Sequence, residues 1–392
     1  MTRPRQCCIP LIVGSMSMIF LLAIYWDIMG ATDLYLYSTW QPAGDFEKSE
    51  PSFQFDMDAF ANQLLEDSAE QENGKFLKRE WKIHLTPISQ KVKQRQEERK
   101  ETLRSVCSAD SMFNFPGKNL KFDDLPDRLL DHLIVDDQHE VIYCFVPKVA
   151  CTNWKSVMAV LSQRLVDGVA YQNPQDVPGA KIHNLGLHFT FDKFGKRYGS
   201  FSRDMMNIKL KKYTKFLFVR DPFVRLISAF RNKFEELNEV FYKMYGVDML
   251  KRYGKYPNPP ATHEQALAAG VMNFSHFIQY LLDPETEKLV PYEPHWKQVY
   301  RMCHPCQINY DFVGKLETQN EDAEHLLRTL GVDNLVNFPV SNRILTKNTW
   351  ITDYFANIPH TWRRRLYEVY EADFRLFGYA KPEELLATNK TE

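Results

Sequence analysis

Two stretches of this chain read as the same kind of strand–turn–helix unit, and that pairing constrains the fold more than any other feature. In HEVIYCFVPKVACTNWKSVMAVLSQRL, residues 141–146 are a short apolar run of β-favouring side chains and Pro147 stops it. Thr152 then opens a helix whose Trp154, Val157, Met158 and Leu161 share one face. In YTKFLFVRDPFVRLISAFRNKF, residues 216–219 are the strand and Arg220-Asp221-Pro222 the turn; the helix follows from Phe223, with Asp221 suited to the N-cap and Pro222 to N1. Continuous apolar strands that run into helices imply a parallel sheet with both faces covered. The expected fold class is therefore α/β, a P-loop-like parallel sheet flanked by helices. Further helices are expected over 274–282, 293–301, 321–330 and 362–377, and Phe312-Val313-Gly314 reads as the end of another short strand.

In open α/β sheets ligands bind beyond the carboxyl ends of the strands, where backbone amides and a helix N-terminus offer partial positive charge to a phosphate. Both units place polar residues there. Lys148 can reach a phosphate and its bridging oxygen, and the amides from Val149 to Asn153 can wrap an oxyanion. The glycines of GxxxxGK[ST] are missing, so an ordinary nucleoside triphosphate and magnesium site is a poor match. Alone, this unit is equally well a surface lysine on a strand-to-helix turn. The second unit shifts that balance, because Arg220 ends its strand, Ser228 lies two helical turns into the helix, and Arg225 adds charge nearby. Two phosphate cradles in one sheet suit a nucleotide with phosphates at both ends.

Residues 7–26, CCIPLIVGSMSMIFLLAIYW, carry no charge, and about 20 residues at 1.5 Å each span a hydrocarbon core of about 30 Å. Arg3 and Arg5 precede the run, Asp27 follows it, and Tyr25 and Trp26 sit where an interfacial belt would, so the short N-terminus belongs on the cytosolic side. The expectation is a single-pass type II protein: a tail over 1–6, a transmembrane signal anchor over 7–26, a luminal stem over 27–106 and a luminal domain over 107–392. A cleaved signal peptide is the alternative, but the apolar run exceeds the usual length of such a segment. Sequons at Asn273 and Asn389 agree with a luminal body. Cys7 and Cys8 lie at the membrane edge, leaving Cys107, Cys144, Cys151, Cys303 and Cys306; five cannot all pair, so one or two bridges and a free thiol are expected. The motif Cys303-His-Pro-Cys306 lacks the second half of a metal site and reads as structural. The stem is polar, acidic over 45–72 and basic over 75–104, which suits a solvated, partly helical spacer. A formal charge of -1 excludes a bulk polycation, so no nucleic-acid partner is expected, and 14% aromatics exclude disorder.

VPKVACTNWK and FLFVRDPFVRLISAFRNKF resemble the 5′-phosphosulfate and 3′-phosphate motifs of Golgi carbohydrate sulfotransferases, which use 3′-phosphoadenosine 5′-phosphosulfate (PAPS). LIVDDQHEVIYC, HWKQVYRMCHPCQINYDFVGKLET and LYEVYEADFRLFGY extend the likeness toward the chondroitin 4-sulfotransferase branch, over roughly residues 107–382 and the anchor. The resemblance implies that Pro147, Lys148, Val149, Ala150, Cys151, Thr152 and Asn153 hold the 5′-phosphosulfate. Lys148 would counter charge on the leaving oxygen. It implies that Arg220, Asp221, Pro222, Phe223, Val224, Arg225, Leu226, Ile227 and Ser228 hold the 3′-phosphate, Arg220 and Ser228 directly. No metal is implied. Related enzymes place a histidine between the two motifs, which makes His183 the first candidate for the base, with His188 beside it and His295 in reserve. The implied acceptor is a chondroitin or dermatan chain, toward which Lys209, Lys211, Lys212, Lys215, Lys251, Arg252 and Lys255 would steer. Other acceptors, N-glycan GalNAc or a terminal glucuronate, keep the same chemistry. A luminal kinase or a non-catalytic glycan-binding membrane protein are the alternatives of other classes.

Overall fold

A computed structural model describes residues 87–184, 186–339 and 349–387. The expected anchor at 7–26 and the sequon at Asn389 lie outside the described residues. Among the described residues no helix is long and apolar enough to cross a membrane.

The sheet has four strands in the order β1 (Leu133–Asp136), β2 (Val141–Cys144), β3 (Thr214–Val219) and β4 (Phe312–Lys315). β2, β3 and β4 are parallel, as the two units require, while β1 is an antiparallel edge strand joined to β2 by a tight turn. The sheet is thus mixed. The longer helices are α1 (Pro87–Cys107), α2 (Cys151–Leu161), α3 (Ser202–Lys212), α4 (Pro222–Phe230), α5 (Phe274–Leu282), α6 (Gln319–Thr329) and α7 (His360–Leu376).

Aromatic packing sets the spacing of these layers. Tyr143 and Phe216, paired across β2 and β3, stack at 4.7 Å between centroids, and Trp154 of α2 lies 4.9 Å from Phe216 and 4.8 Å from Phe218. Phe218 in turn lies over Gly314, where an added Cβ would sit 2.2 Å from the ring, so β4 can carry only glycine there. A second aromatic cluster joins α4, α5 and α7 through Phe223, Phe230, Phe277, Trp296, Tyr370 and Phe374, all buried.

Among the described residues, the fold includes the 21-residue helix that ends at Cys107. Helix α1, expected as spacer, packs on the outer edge of β4 and on α6. Gln96 donates to Val313 O at 3.1 Å and accepts from Val313 N at 2.9 Å, so one side-chain amide mimics a neighbouring strand. Arg99 donates to the same carbonyl and to Asp322, a carboxylate with no exposure.

Two disulfides, Cys107–Cys306 and Cys144–Cys303, staple the fold, and Cys151 is the free cysteine among the described residues. Both cysteines of the Cys303-His-Pro-Cys306 motif are therefore structural. The region expected as a helix over 293–301 is largely irregular, with only Tyr300–Cys303 helical.

Candidate active site

Register decides whether the two turns can act together. Cys144, the last residue of β2, lies opposite Leu217 of the parallel strand β3, so the Pro147 turn and the Arg220 turn both follow from the carboxyl ends of adjacent strands. Both turns leave the same edge of the sheet. Lys315 lies opposite Val219, so the carboxyl end of β4 reaches that edge too. The start of β1 is there as well, because Phe145 N donates to His132 O at 3.0 Å.

The first turn is shaped by backbone. Lys148 and Ala150 have left-handed conformations, with φ of 72° and 64°, which cost side-chain-bearing residues about 1–2 kcal/mol each. Ala150 is the N-cap of α2 and supplies no side-chain cap; the helix ladder starts only with Trp154 N donating to Ala150 O. The first-turn amides of Cys151, Thr152 and Asn153 precede it and lie at the positive end of the helix dipole. Lys148 is half-buried and has no ion pair among the described residues. Burial first, then the nearby charges of Lys233 and Arg220, push its ammonium down to about 8. A cation held this way gains from any anion that enters.

The second turn is built from side chains. Asp221 accepts from Phe223 N at 2.9 Å and from Val224 N at 3.0 Å, so the free amides of α4 are already used. Glu317, just past β4, accepts from Asp221 N at 3.0 Å and from Tyr379 Oη at 3.0 Å, fixing the turn from its other side. Arg220 is buried, and burial holds its guanidinium below the usual arginine range against the carboxylates of Glu317 and Asp221. Ser228 lies half-buried on the face of α4 it shares with Val224 and Arg231, and Arg231 stacks on Trp350 at 3.8 Å.

The remaining residues of the second motif have other partners. Pro222, Phe223, Val224, Leu226 and Ile227 are buried, with Phe223, Leu226 and Ile227 in the aromatic cluster. Arg225 is almost fully enclosed and donates to three backbone carbonyls: Pro147 O at 3.1 Å, Lys297 O at 2.8 Å and Pro294 O at 2.6 Å. It ties the second unit directly to the first.

The three candidate histidines differ. His183 is exposed and its Nε2 is 3.1 Å from Thr152 Oγ1, at the mouth of the first turn. His188 is buried, its Nε2 lies 2.9 Å from Ile182 O, and burial pushes it down to about 3. His295 is partly exposed, with Nδ1 2.7 Å from Glu293 Oε1.

Lys209, Lys211, Lys212 and Lys215, expected to steer an acceptor, lie at the other end of the sheet. Lys209 and Lys215 are buried in ion pairs with Asp137 at 2.6 Å and Asp311 at 2.7 Å. They and the exposed Lys211 and Lys212 cluster at the amino end of β3, opposite the edge with the turns, because a six-residue strand is about 20 Å long. Arg252 pairs with Asp248 and Asp283. The cation that does join Lys148 is Lys233, in a π-helical turn, Arg231–Glu235, that extends α4; its Nζ lies 4.0 Å from the Phe241 ring centroid. No spacing rule in the sequence marks it.

Residues 131–380 match the model of the sulfotransferase family. The chain is 49% identical to carbohydrate sulfotransferase 12 of Mus musculus, over 98% of this chain and 100% of that protein. It is 47% identical to carbohydrate sulfotransferase 12 of Xenopus laevis, over 99% and 100%. With carbohydrate sulfotransferase 11 of Rattus norvegicus it shares 40% identity over 73% of this chain and 76% of that protein. No solved structure matches the chain at a significant level.

Proposed function

The chain belongs to the sulfotransferase family as a carbohydrate sulfotransferase, and we propose that it moves the sulfonyl group of PAPS to the 4-hydroxyl of N-acetylgalactosamine in chondroitin, and less so in dermatan. The observation that carries this reading is the shared sheet edge, where the Lys148 turn and the Arg220 turn stand side by side and Arg225 bonds one to the other. The residues fit a donor phosphorylated at both ends. At the first turn the amides of Cys151, Thr152 and Asn153 and the unanswered charge of Lys148 suit the 5′-phosphosulfate. At the second, Arg220 and Ser228 suit the 3′-phosphate.

In the transfer, the acceptor oxygen bonds to sulfur while the bond from sulfur to the 5′-phosphate oxygen breaks, and the electron pair leaves with that phosphate. Lys148 and the α2 amides meet charge that grows on the leaving oxygen. Losing one such preplaced donor typically costs about 10²–10³ in rate. The acceptor hydroxyl must give up its proton, and His183 and His295 are the two candidate imidazoles that flank the Lys148 turn. The two disulfides suit an oxidising compartment, and the Golgi lumen, reached through an anchor at residues 7–26, is the proposed location.

The test incubates the full chain with labelled PAPS and desulfated chondroitin and maps the product disaccharides. Label at the 4-position of GalNAc is expected. Label at another hydroxyl would move the acceptor assignment, and calorimetry in which 3′-phosphoadenosine 5′-phosphate bound no better than ATP would remove the donor assignment.

A further inference from the structure

We propose that His295, oriented by Glu293, is the general base of the transfer, and that Arg225 is the positioning residue that sets it against the Lys148 turn. The proposal rests on the PAPS reading and names the group that takes the proton.

The Glu293 carboxylate faces one ring nitrogen of His295 with both oxygens, at 2.7 and 2.9 Å from Nδ1, and Oε2 also accepts from His295 N at 2.7 Å. Nδ1 therefore carries the proton and donates it to Glu293. The lone pair is left on Nε2, for which no hydrogen bond is present among the described residues. A carboxylate behind an imidazole does two things for a base: it fixes the tautomer and it stabilises the imidazolium that forms.

Placement comes from Arg225. Its Nη2 and Nη1 hold the carbonyls of Pro294 and Lys297, which bracket His295, while its Nε holds the carbonyl of Pro147, which precedes Lys148. One enclosed guanidinium thus spaces the imidazole from the ammonium. Glu293 on its own segment and the edge-on ring of Phe241 at 5.5 Å contact His295, and the charges of Lys233 from the π-helical turn and Lys148 from the first turn act on it. Burial, with Lys233 and Lys148, outweighs Glu293 and holds His295 below the ordinary histidine value.

The other candidate histidines are placed differently. His183 is exposed, and its Nε2 lies 3.1 Å from the Thr152 hydroxyl. His188 has its Nε2 occupied by Ile182 O. His139 has a carboxylate partner, Asp136, at 2.7 Å, but sits in the β1–β2 turn at the amino end of β2, across the sheet from the donor edge. In the step itself, the acceptor hydroxyl proton passes to His295 Nε2 as the oxygen bonds to sulfur, and returns to solvent after the product leaves.

The experiment compares full-length His295→Gln, His295→Ala, Glu293→Gln and His183→Ala with the unaltered chain. It measures turnover, the pH profile, affinity for 3′-phosphoadenosine 5′-phosphate by calorimetry, and melting. His295→Gln is expected to lower turnover about 10²–10⁴-fold while donor affinity stays within about threefold, and free imidazole should restore part of the activity of His295→Ala. Glu293→Gln should lower turnover about 10–100-fold and shift the acid limb of the profile to lower pH, since the group that stabilises the imidazolium is gone. A folding defect in His295→Gln would leave that shift and the imidazole rescue to decide. Near-normal turnover in His295→Gln, with the loss appearing in His183→Ala instead, would overturn the base while leaving the donor site intact. Absence of nucleotide binding by the unaltered chain would overturn both.

Discussion

Replacing Arg225 with lysine tests how the site is assembled. The guanidinium donates from Nε, Nη1 and Nη2 to Pro147 O, Lys297 O and Pro294 O at 3.1, 2.8 and 2.6 Å. These acceptors surround a planar fork, and one tetrahedral ammonium cannot reach them all, so Arg225→Lys leaves two of them without a donor. A hydrogen bond to a charged group contributes about 1.5–3 kcal/mol, which makes the loss about 3–6 kcal/mol. That is a large part of the roughly 5–15 kcal/mol of a whole domain. Charge and most of the volume are retained, so cavity terms are secondary. At about 2 °C per kcal/mol for a domain of this size, the melting temperature should fall by about 6–12 °C. Calorimetry on the same sample should show weaker binding of 3′-phosphoadenosine 5′-phosphate, because Pro147 has lost its anchor. Lys211→Ala, exposed at the far end of β3, is the control and should change neither. If Arg225→Lys melted within about 2 °C of the unaltered chain and bound nucleotide equally well, the reasoning would be wrong.

Titration of Lys148 gives a second check: its ammonium, pushed down to about 8, is charged below that pH and neutral above it. Donor affinity should therefore weaken from pH 7 to 9, with proton uptake on binding near pH 8 that Lys148→Arg abolishes; buffer-independent binding enthalpies would contradict this. Replacing both Cys144 and Cys303 with alanine opens a link across 159 residues and should cost about 2–5 kcal/mol, read by urea unfolding, with an unchanged midpoint as the contrary result. Asp221→Ala removes the cap from Phe223 N and Val224 N and should destabilise by about 0.5–2 kcal/mol; Asp221→Asn should recover most of it. Ala150→Gly relieves a left-handed alanine and should leave stability equal or higher, so a clear drop in melting temperature would count against strain in the turn.

The two strand–turn–helix units were legible because each carries its own punctuation: Pro147 after one strand, and Asp221 with Pro222 after the other. What stayed hidden depends on partners distant in the chain. The four residues of β1 are all buried and show no alternation, so only pairing with β2 reveals an antiparallel edge. Residues 293–301 have helical spacing, yet Arg225 takes the carbonyls of Pro294 and Lys297, and Asp373 takes Val299 N at 2.7 Å and Tyr300 N at 3.0 Å. Those side chains compete for the backbone groups a helix would use. Helix α1 looked like spacer because, among the described residues, only Val92 and Leu103 are apolar on its buried face, while Gln96 and Arg99 fill the positions between them and leave no continuous hydrophobic period to read. Charge alone misplaced the basic patch, since lysines ahead of β3 necessarily sit at the end of the strand away from the ligand edge.

The unlike construction of the two turns bears on how such a protein can change over generations. Recognition at the Arg220 end is written in side chains, so single codon changes can retune or erase it, and a mutational scan would light up there. At the other end much of the grip is main chain, common to every residue type, and a scan would register little beyond Lys148 and the conformationally demanding Ala150. Under the proposed reading, donor choice should therefore drift from the Arg220 end inward, while the Lys148 end stays fixed by shape.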